Sequence, residues 1–197
     1  MAIDAAEAII AAQGHEGLST RKVAKQIGYT VGTLYLVFKN LDALVYEINA
    51  RTLDLMYQYA AKLVQDTGDP LQNIHLLGQG YLDFAMSHLN RWRLFFDQMR
   101  RPADLKHVED YRIQTYALFS LIEKNLRALA IDAEEQEVKK AARVIWSSVH
   151  GVCTLAFTGR LQSGVLETER EFIRSLITNF LNGWIKEHGQ PGESDRP

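Results

Sequence analysis

Residues 15–40 of this 197-residue chain carry a net positive charge, which suits contact with an anion. They hold one acidic residue, Glu16, against four basic residues and so carry a net charge of +3. Residues 1–14 contribute −2 and residues 41–197 contribute −3, which leaves the whole chain at −2. The positive charge is therefore confined to one short segment, as the footprint of a nucleic-acid-binding module should be. The four basic residues are Arg21, Lys22, Lys25 and Lys39.

Two short helices must position these side chains. Ser19 is a candidate N-cap for a helix over residues 20–27, and Gly28 can end that helix with a positive φ. Thr30 can cap a second helix over residues 31–38. Two short helices joined by a tight glycine turn are typical of a helix-turn-helix.

The spacing of three residues supports that interpretation. Ala24 is small enough for the two helices to cross at close range, and Gly28 follows it by four residues. Leu34 comes six residues later and can seal a small core beneath both helices. Simple packing of any helical hairpin would also explain these three residues, so the charge pattern is needed to favour a nucleic-acid module.

Helical spacing also dominates the rest of the chain, and strand alternation is hard to find. We therefore expect an all-α fold of about nine helices. A three-helix helix-turn-helix domain would cover residues 1–47, a larger helical bundle residues 48–188, and a polar, disordered tail residues 189–197.

Composition excludes several other classes. The chain is 47% hydrophobic and 23% charged, which is ordinary for a globular protein. Its single cysteine, Cys153, excludes an internal disulfide framework and a cysteine-based zinc site. No run approaches 18 apolar residues, and the start Met1–Asp4 has no basic region, so we expect neither a membrane span nor a signal peptide. A cytoplasmic, nucleoid-associated protein with no membrane partner is the expectation.

Residues 3–48 resemble the tetracycline-repressor (TetR) family of bacterial transcription regulators. The resemblance rests on Ser19-Thr20-Arg21, Val23-Ala24, Gly28, Gly32-Thr33-Leu34-Tyr35, Phe38 and Asn40…Leu44. A further segment, Trp146…His150-Gly151, resembles one subclass of the family's C-terminal domains. The family implies a homodimeric repressor that leaves a palindromic double-stranded DNA operator when a small molecule enters its C-terminal domain.

The resemblance, together with side-chain chemistry, assigns DNA contacts. Arg21 is the candidate for guanine O6 and N7, and Thr20 is placed for a phosphate at a helix N-terminus. Gly32 would let the backbone approach the groove. Val31 and Val37 can offer only methyl contacts, which we expect to be to thymine methyl groups. The full predicted set is Thr20, Arg21, Thr30, Val31, Gly32, Thr33, Tyr35, Val37 and Lys39.

Aromatic residues crowd the middle of the chain, where the family places an effector cavity. We expect an apolar or aromatic effector there, with His88, Tyr116 or His150 as polar anchors. For any single residue, ordinary core packing remains the alternative. The predicted pocket set is Tyr81, Phe84, His88, Trp92, Phe95, Phe96, Met99, Tyr116, Phe119, Trp146 and His150.

The last two long helices carry more apolar residues than one internal face requires. Two such helices from each subunit would form a four-helix interface with twofold symmetry, matching a palindromic operator. Intramolecular packing is the alternative. The predicted interface set is Val149, Val152, Ala156, Phe172, Leu176, Phe180 and Trp184.

Two other functions compete with a ligand-controlled repressor. His150 and Cys153 lie three apart and could share a helix face, but no third convergent group accompanies them, so we expect no enzyme, metal or cofactor. The second is a DNA-binding protein controlled by a protein partner, or one that organises the chromosome without a small-molecule ligand. The first third of the sequence does not separate this from the repressor.

Overall fold

The computed structural model describes residues 1–65, 67–98, 105–161 and 166–188. Regular structure in these ranges is entirely helical, which confirms the expected all-α class with about nine helices. A single 3₁₀ turn, His15–Gly17, follows the first helix. The helices are α1 (Ala2–Gln13), α2 (Thr20–Ile27), α3 (Val31–Val37), α4 (Leu41–Leu63), α5 (Pro70–Ser87), α6 (Leu89–Gln98), α7 (Leu105–Leu129), α8 (Glu135–Phe157) and α9 (Leu166–His188).

By residue type, Asn40, Asn90 and Thr168 are each expected to cap the N-terminus of a helix, and only Asn40 does so. The Asn40 side chain accepts a hydrogen bond from the Ala43 amide at 2.8 Å and so caps α4 as expected. Asn90 does not cap α6, because that helix already begins at Leu89. Thr168 lies within the first turn of α9, which begins at Leu166.

One compact unit comprises Met1–Met56 and Ala85–Thr115. Its core joins residues from α1, α2, α3 and α4, with Ile10, Val23 and Ile48 fully buried. Leu94 of α6 is also fully buried in this cluster. Burial of a leucine or isoleucine side chain stabilises the fold by about 1.5–3 kcal/mol, so α6 is an integral part of the unit.

The other compact unit comprises Tyr57–Phe84 and the described residues from Tyr116 onward. Its core includes the fully buried Ile74, Leu82 and Leu126, together with apolar residues of α8 and α9. A hydrogen bond of 2.9 Å from Asn73 Nδ2 to Asn125 Oδ1 satisfies two buried amides between α5 and α7.

The predicted boundary after residue 47 falls inside α4, whereas the first compact unit runs to Met56 and also includes Ala85–Thr115. The predicted tail, residues 189–197, lies outside the described residues. None of the described helices is long and apolar enough to cross a membrane.

Candidate nucleic-acid interface

Helix α2 begins and ends as the sequence predicts. The Ser19 hydroxyl accepts a hydrogen bond from the Lys22 amide at 3.3 Å, which caps the helix N-terminus. Gly28 ends the helix with φ 74° and ψ 25°, a left-handed conformation that favours glycine. This turn sets the direction in which α3 leaves α2.

Helix α3 has its own cap. Thr30 Oγ1 accepts a hydrogen bond from the Thr33 amide at 3.1 Å, and the two hydroxyls lie 3.0 Å apart. The Thr30 hydroxyl is therefore occupied in holding the helix start. Thr33 is exposed and can still offer its second hydrogen-bonding position to a partner.

One face of the helix pair is buried in the first unit. Val23 and Ala24 of α2 and Leu34 of α3 are buried, and Phe38 packs partly against the same cluster. Leu41 also packs partly against it, so this side chain serves the core at the start of α4. Gly28 takes the left-handed turn conformation expected of it, and Ala24 and Leu34 are buried.

Most of the predicted DNA contacts lie at the surface. Thr20 and Val31 are half-buried, so they contribute only their outer edges. The exposed members of the predicted set are Arg21, Thr30, Gly32, Thr33, Tyr35, Val37 and Lys39.

This exposed face keeps its positive charge available. Within the part of the chain that the structure describes, no carboxylate forms an ion pair with Arg21, Lys25 or Lys39. Lys22 is different, because its ammonium donates to Gln13 Oε1 of α1 at 2.6 Å. Three cations per chain can therefore meet an anionic partner without first breaking an ion pair with a described residue.

Sequence reasoning missed two exposed apolar side chains on this surface. Leu36 is 86% exposed and Tyr29, in the turn between α2 and α3, is 55% exposed. Leu36 follows Gly32 by four residues and therefore lies on the same side of α3. The four-residue spacing from Gly32 places Leu36 nearly opposite the buried Leu34, and this was the signal that could have identified Leu36.

Polar contacts tie the first unit together around α1 and α4. Arg91 of α6 forms an ion pair with Glu7 of α1, and Asn90 Nδ2 donates to the Ala11 carbonyl at 3.0 Å. Tyr111 of α7 donates to the Tyr46 carbonyl of α4 at 3.0 Å. Burial raises the pKa of Tyr111 well above its usual range, so its hydroxyl remains a donor at neutral pH.

The predicted pocket residues fall into two groups, one in each compact unit. His88, Trp92, Phe95 and Phe96 belong to the first unit, where Trp92 and Phe95 are buried. Phe95 packs edge-on against Phe96, with ring centroids 4.9 Å apart. Met99 lies outside the described residues. The other predicted members, Tyr81, Phe84, Tyr116, Phe119, Trp146 and His150, belong to the second unit.

Within the second unit, four of these residues form one connected cluster. The Tyr81 hydroxyl lies 2.8 Å from His150 Nδ1, and the Trp146 ring stacks on the His150 ring with centroids 5.2 Å apart. Phe119 packs edge-on against Trp146 at 5.7 Å. Burial lowers the pKa of His150, which favours the neutral ring at pH 7. The cluster offers an aromatic surface with one hydroxyl and one imidazole.

Two other predicted pocket residues have different surroundings. Phe84 is buried and packs against Tyr59, with ring centroids 6.0 Å apart. Tyr116 is 49% exposed and lines an open cleft of about 1030 Å³ between α7 and α8. Polar and charged side chains, including Ser120, Lys139 and Arg143, line the same cleft.

Cys153 is completely buried, and burial raises its pKa to about 12. A thiol with so high a pKa holds almost no thiolate at pH 7, so it packs as a small apolar side chain. Among the described residues, no group of three His, Cys, Asp or Glu side chains is arranged to hold a metal ion.

The predicted dimer residues divide into buried and accessible members. Val149 and Trp184 are already buried within the chain itself, so their burial requires no second copy. Val152, Ala156, Leu176 and Phe180 are half-buried, and Phe172 is 41% exposed. Leu155 of α8, which was not predicted, is equally exposed.

Comparison with protein families gives two matches that together cover most of the chain. Residues 2–48 match bacterial regulatory proteins of the tetR family, and residues 74–180 match the tetracyclin repressor-like C-terminal domain. No curated protein sequence is significantly similar to the chain.

Similar folds occur among solved structures. A protein of unknown function from Rhodococcus sp. RHA1 is 20% identical, with a TM-score of 0.75 and 92% of each chain covered. A transcriptional regulator from the same organism is 18% identical, with a TM-score of 0.73 over 92% of this chain and 95% of the other. The regulator FadR from Bacillus subtilis, in complex with stearoyl-CoA, is 17% identical, with a TM-score of 0.66 over 96% and 98%.

Proposed function

The chain belongs to the tetR family of bacterial regulatory proteins and is a DNA-binding transcriptional regulator, and on that premise we propose that it is a homodimeric repressor released from a palindromic operator by a small apolar or aromatic effector. In this proposal residues 1–47 bind DNA and residues 48–188 bind the effector and the second subunit. Such a regulator acts at the nucleoid, in the cytoplasm.

The exposed face of α2 and α3 is the observation that carries the proposal. Arg21, Lys25 and Lys39 lie at the surface with no ion-pair partner among the described residues. A DNA duplex presents closely spaced phosphates. Cations that are not paired with a carboxylate can bind these phosphates without breaking an ion pair, and the release of counterions from the DNA then favours binding. Arg21 also has the planar geometry that a guanine edge requires.

Two features of α8 and α9 support a symmetric dimer. Gly151 and Gly183 have open space where a side chain would begin, with no atom within 4 Å. On α9, Phe172, Leu176 and Phe180 recur every four residues and stay at least partly accessible. Small residues beside an apolar stripe permit close approach of two helix pairs, and a twofold axis would place two copies of α3 on one palindrome.

The second-unit cluster supports an effector that is mainly apolar with one polar group. Phe119 and Trp146 supply aromatic surface. Tyr81 and His150, which are hydrogen-bonded to each other, supply a hydroxyl and an imidazole that could instead hydrogen-bond to the effector. FadR was solved in complex with stearoyl-CoA, whose acyl chain has the apolar character that this cluster would accept, so stearoyl-CoA is the first compound to test here. An effector that binds this cluster more tightly in the released state than in the DNA-bound state would shift the population towards the released state.

The proposal is tested by selecting bound duplexes from a random pool and repeating the titration with stearoyl-CoA. We expect an enriched inverted repeat and release of that duplex by stearoyl-CoA but not by free CoA. His150→Gln should reduce the effector response while leaving DNA affinity unchanged. An enriched site without inverted symmetry would contradict the dimeric repressor, and an effector response unchanged by His150→Gln would contradict the assigned cluster.

A further inference from the structure

Helix α3 presents an apolar surface where a DNA-binding helix commonly carries hydrogen-bonding side chains. Leu36 is 86% exposed and Val37 is 73% exposed. Single exposed aliphatic side chains are common, but on this seven-residue helix two consecutive residues are both largely exposed, which points to a partner. We call Gly32 and Leu36 the apolar reading face. Val37 lies about 100° around the helix from Leu36 and borders this face.

Helix geometry orients this face away from the core. Successive residues are about 100° apart around an α-helix, so Gly32 and Leu36 lie nearly opposite the buried Leu34. A Cβ built on Gly32 would have only Thr30 Oγ1 nearby, at 3.7 Å, so the backbone is accessible there. The glycine allows a groove wall or base edge to approach, and Leu36 projects one turn further along the same side.

Charge identifies what covers the apolar reading face. Arg21, Lys25 and Lys39 surround α3 in the sequence and are exposed without an ion-pair partner among the described residues. A protein partner with an apolar surface would leave these cations unmatched, whereas a DNA duplex supplies phosphates at both edges of its major groove. The occupant is therefore double-stranded DNA.

Only one apolar group lies on the base edges of the major groove, the C5-methyl of thymine. Leu36 and Val37 have no hydrogen-bonding atoms in their side chains, so an apolar group is the only base feature that these side chains can recognise. We propose that Leu36 is a specificity-determining residue that reads thymine C5-methyl groups, with Val37 extending the contact. This rests on the proposed function and assigns each operator half-site A·T pairs beneath α3.

The test replaces thymine by uracil, which removes the methyl and keeps every hydrogen-bonding group. Duplexes are first selected from a random pool that contains thymine. The enriched sequence is then resynthesised with deoxyuridine at one position at a time and titrated with the full-length chain. At one or two positions per half-site we expect affinity to fall about fourfold for each methyl removed.

Two leucine variants complete the test. Leu36→Ala should weaken binding to the thymine duplex and abolish the difference between thymine and uracil at those positions. Leu71→Ala, at an exposed leucine of α5 in the second unit, should keep that difference. Neither leucine is buried in the core, so both variants should fold.

The outcomes separate the proposal from the function beneath it. If no sequence is enriched, sequence-specific DNA binding fails and the proposal fails with it. If a sequence is enriched and uracil has no effect at any position, the function stands and methyl reading by Leu36 is overturned. A uracil effect that persists in Leu36→Ala would also overturn the role of Leu36.

Discussion

Leu34 and Leu36 lie two positions apart on α3, yet Leu34 is 3% exposed and Leu36 is 86% exposed. The first seals the core beneath α2, and the second stands on the surface that faces away from it. A seven-residue helix thus has one side that packs in the core and another that, in the proposed function, contacts DNA. Substitutions on the two sides should consequently separate stability from DNA affinity.

Arg21→Ala should change which base the protein prefers. Loss of a bidentate guanine contact costs about 1–3 kcal/mol at one position of the half-site and little elsewhere. Binding titrations on single-base variants of the operator measure this. An equal loss on every variant would contradict base contact by Arg21. Lys39→Ala provides the contrast, because a phosphate contact should weaken all sequences alike and flatten the salt dependence.

Gly28 and Gly32 should respond oppositely to alanine. Gly28→Ala should lower the free energy of unfolding by about 1–2 kcal/mol, because φ is 74° there and no neighbouring atom contributes to the cost. Gly32→Ala should preserve or raise stability, since alanine favours a helix, but should weaken DNA binding by closing the approach to the backbone. Chemical denaturation and operator titration of both variants measure the two effects. A stability loss confined to Gly32→Ala would contradict this division.

Gly151→Arg should convert the proposed dimer to a monomer. The position is open in the single chain and the substitution raises helix propensity, so the variant should fold. Sedimentation velocity at micromolar concentration measures the change, with Gln58→Arg on an exposed position of α4 as control. A Gly151→Arg variant that sediments like the wild type would place the interface elsewhere.

Stability should fall as the pH drops from 7 to 5. Burial lowers the pKa of His75, His88 and His150 below their ordinary 6.5, so the unfolded chain binds more protons in this range. The stabilisation is complete above pH 6.5 and is lost as the pH falls towards the folded pKa values. Urea unfolding at both pH values measures it. His150→Gln should show a smaller loss between pH 7 and 5, and an undiminished loss would contradict the role of that histidine.

Local signals explain why the first helices were predictable. Ser19, Gly28 and Asn40 act through hydrogen bonds or backbone conformations within four residues of themselves, and a single sequence contains all of that information. Leu36 was missed although its spacing from Gly32 is equally local. An exposed leucine does not differ in residue type from a buried one, so the residue type of Leu36 did not separate it from the core residues of α3.

Long-range packing accounts for the rest. Leu94 joins the core cluster that also holds residues of α2 and α3, and Trp92 and Phe95 belong to the same compact unit. Sequence reasoning grouped these two aromatic residues with a single effector pocket. Which helix an apolar face packs against depends on contacts tens of residues apart, which periodicity does not specify. Val149 likewise looked available for dimerisation and is buried against its own chain.

The most direct test of the account is the affinity of the double variant Arg21→Ala/Lys39→Ala for the selected operator, compared with Lys62→Ala/Lys124→Ala. Both variants lose two positive charges, and the control removes them from exposed positions on α4 and α7. If the exposed face of α2 and α3 contacts DNA, fluorescence anisotropy at fixed salt should show operator binding lost in the first variant and retained in the second. Equal affinities for the two variants would contradict the assignment of DNA binding to this face.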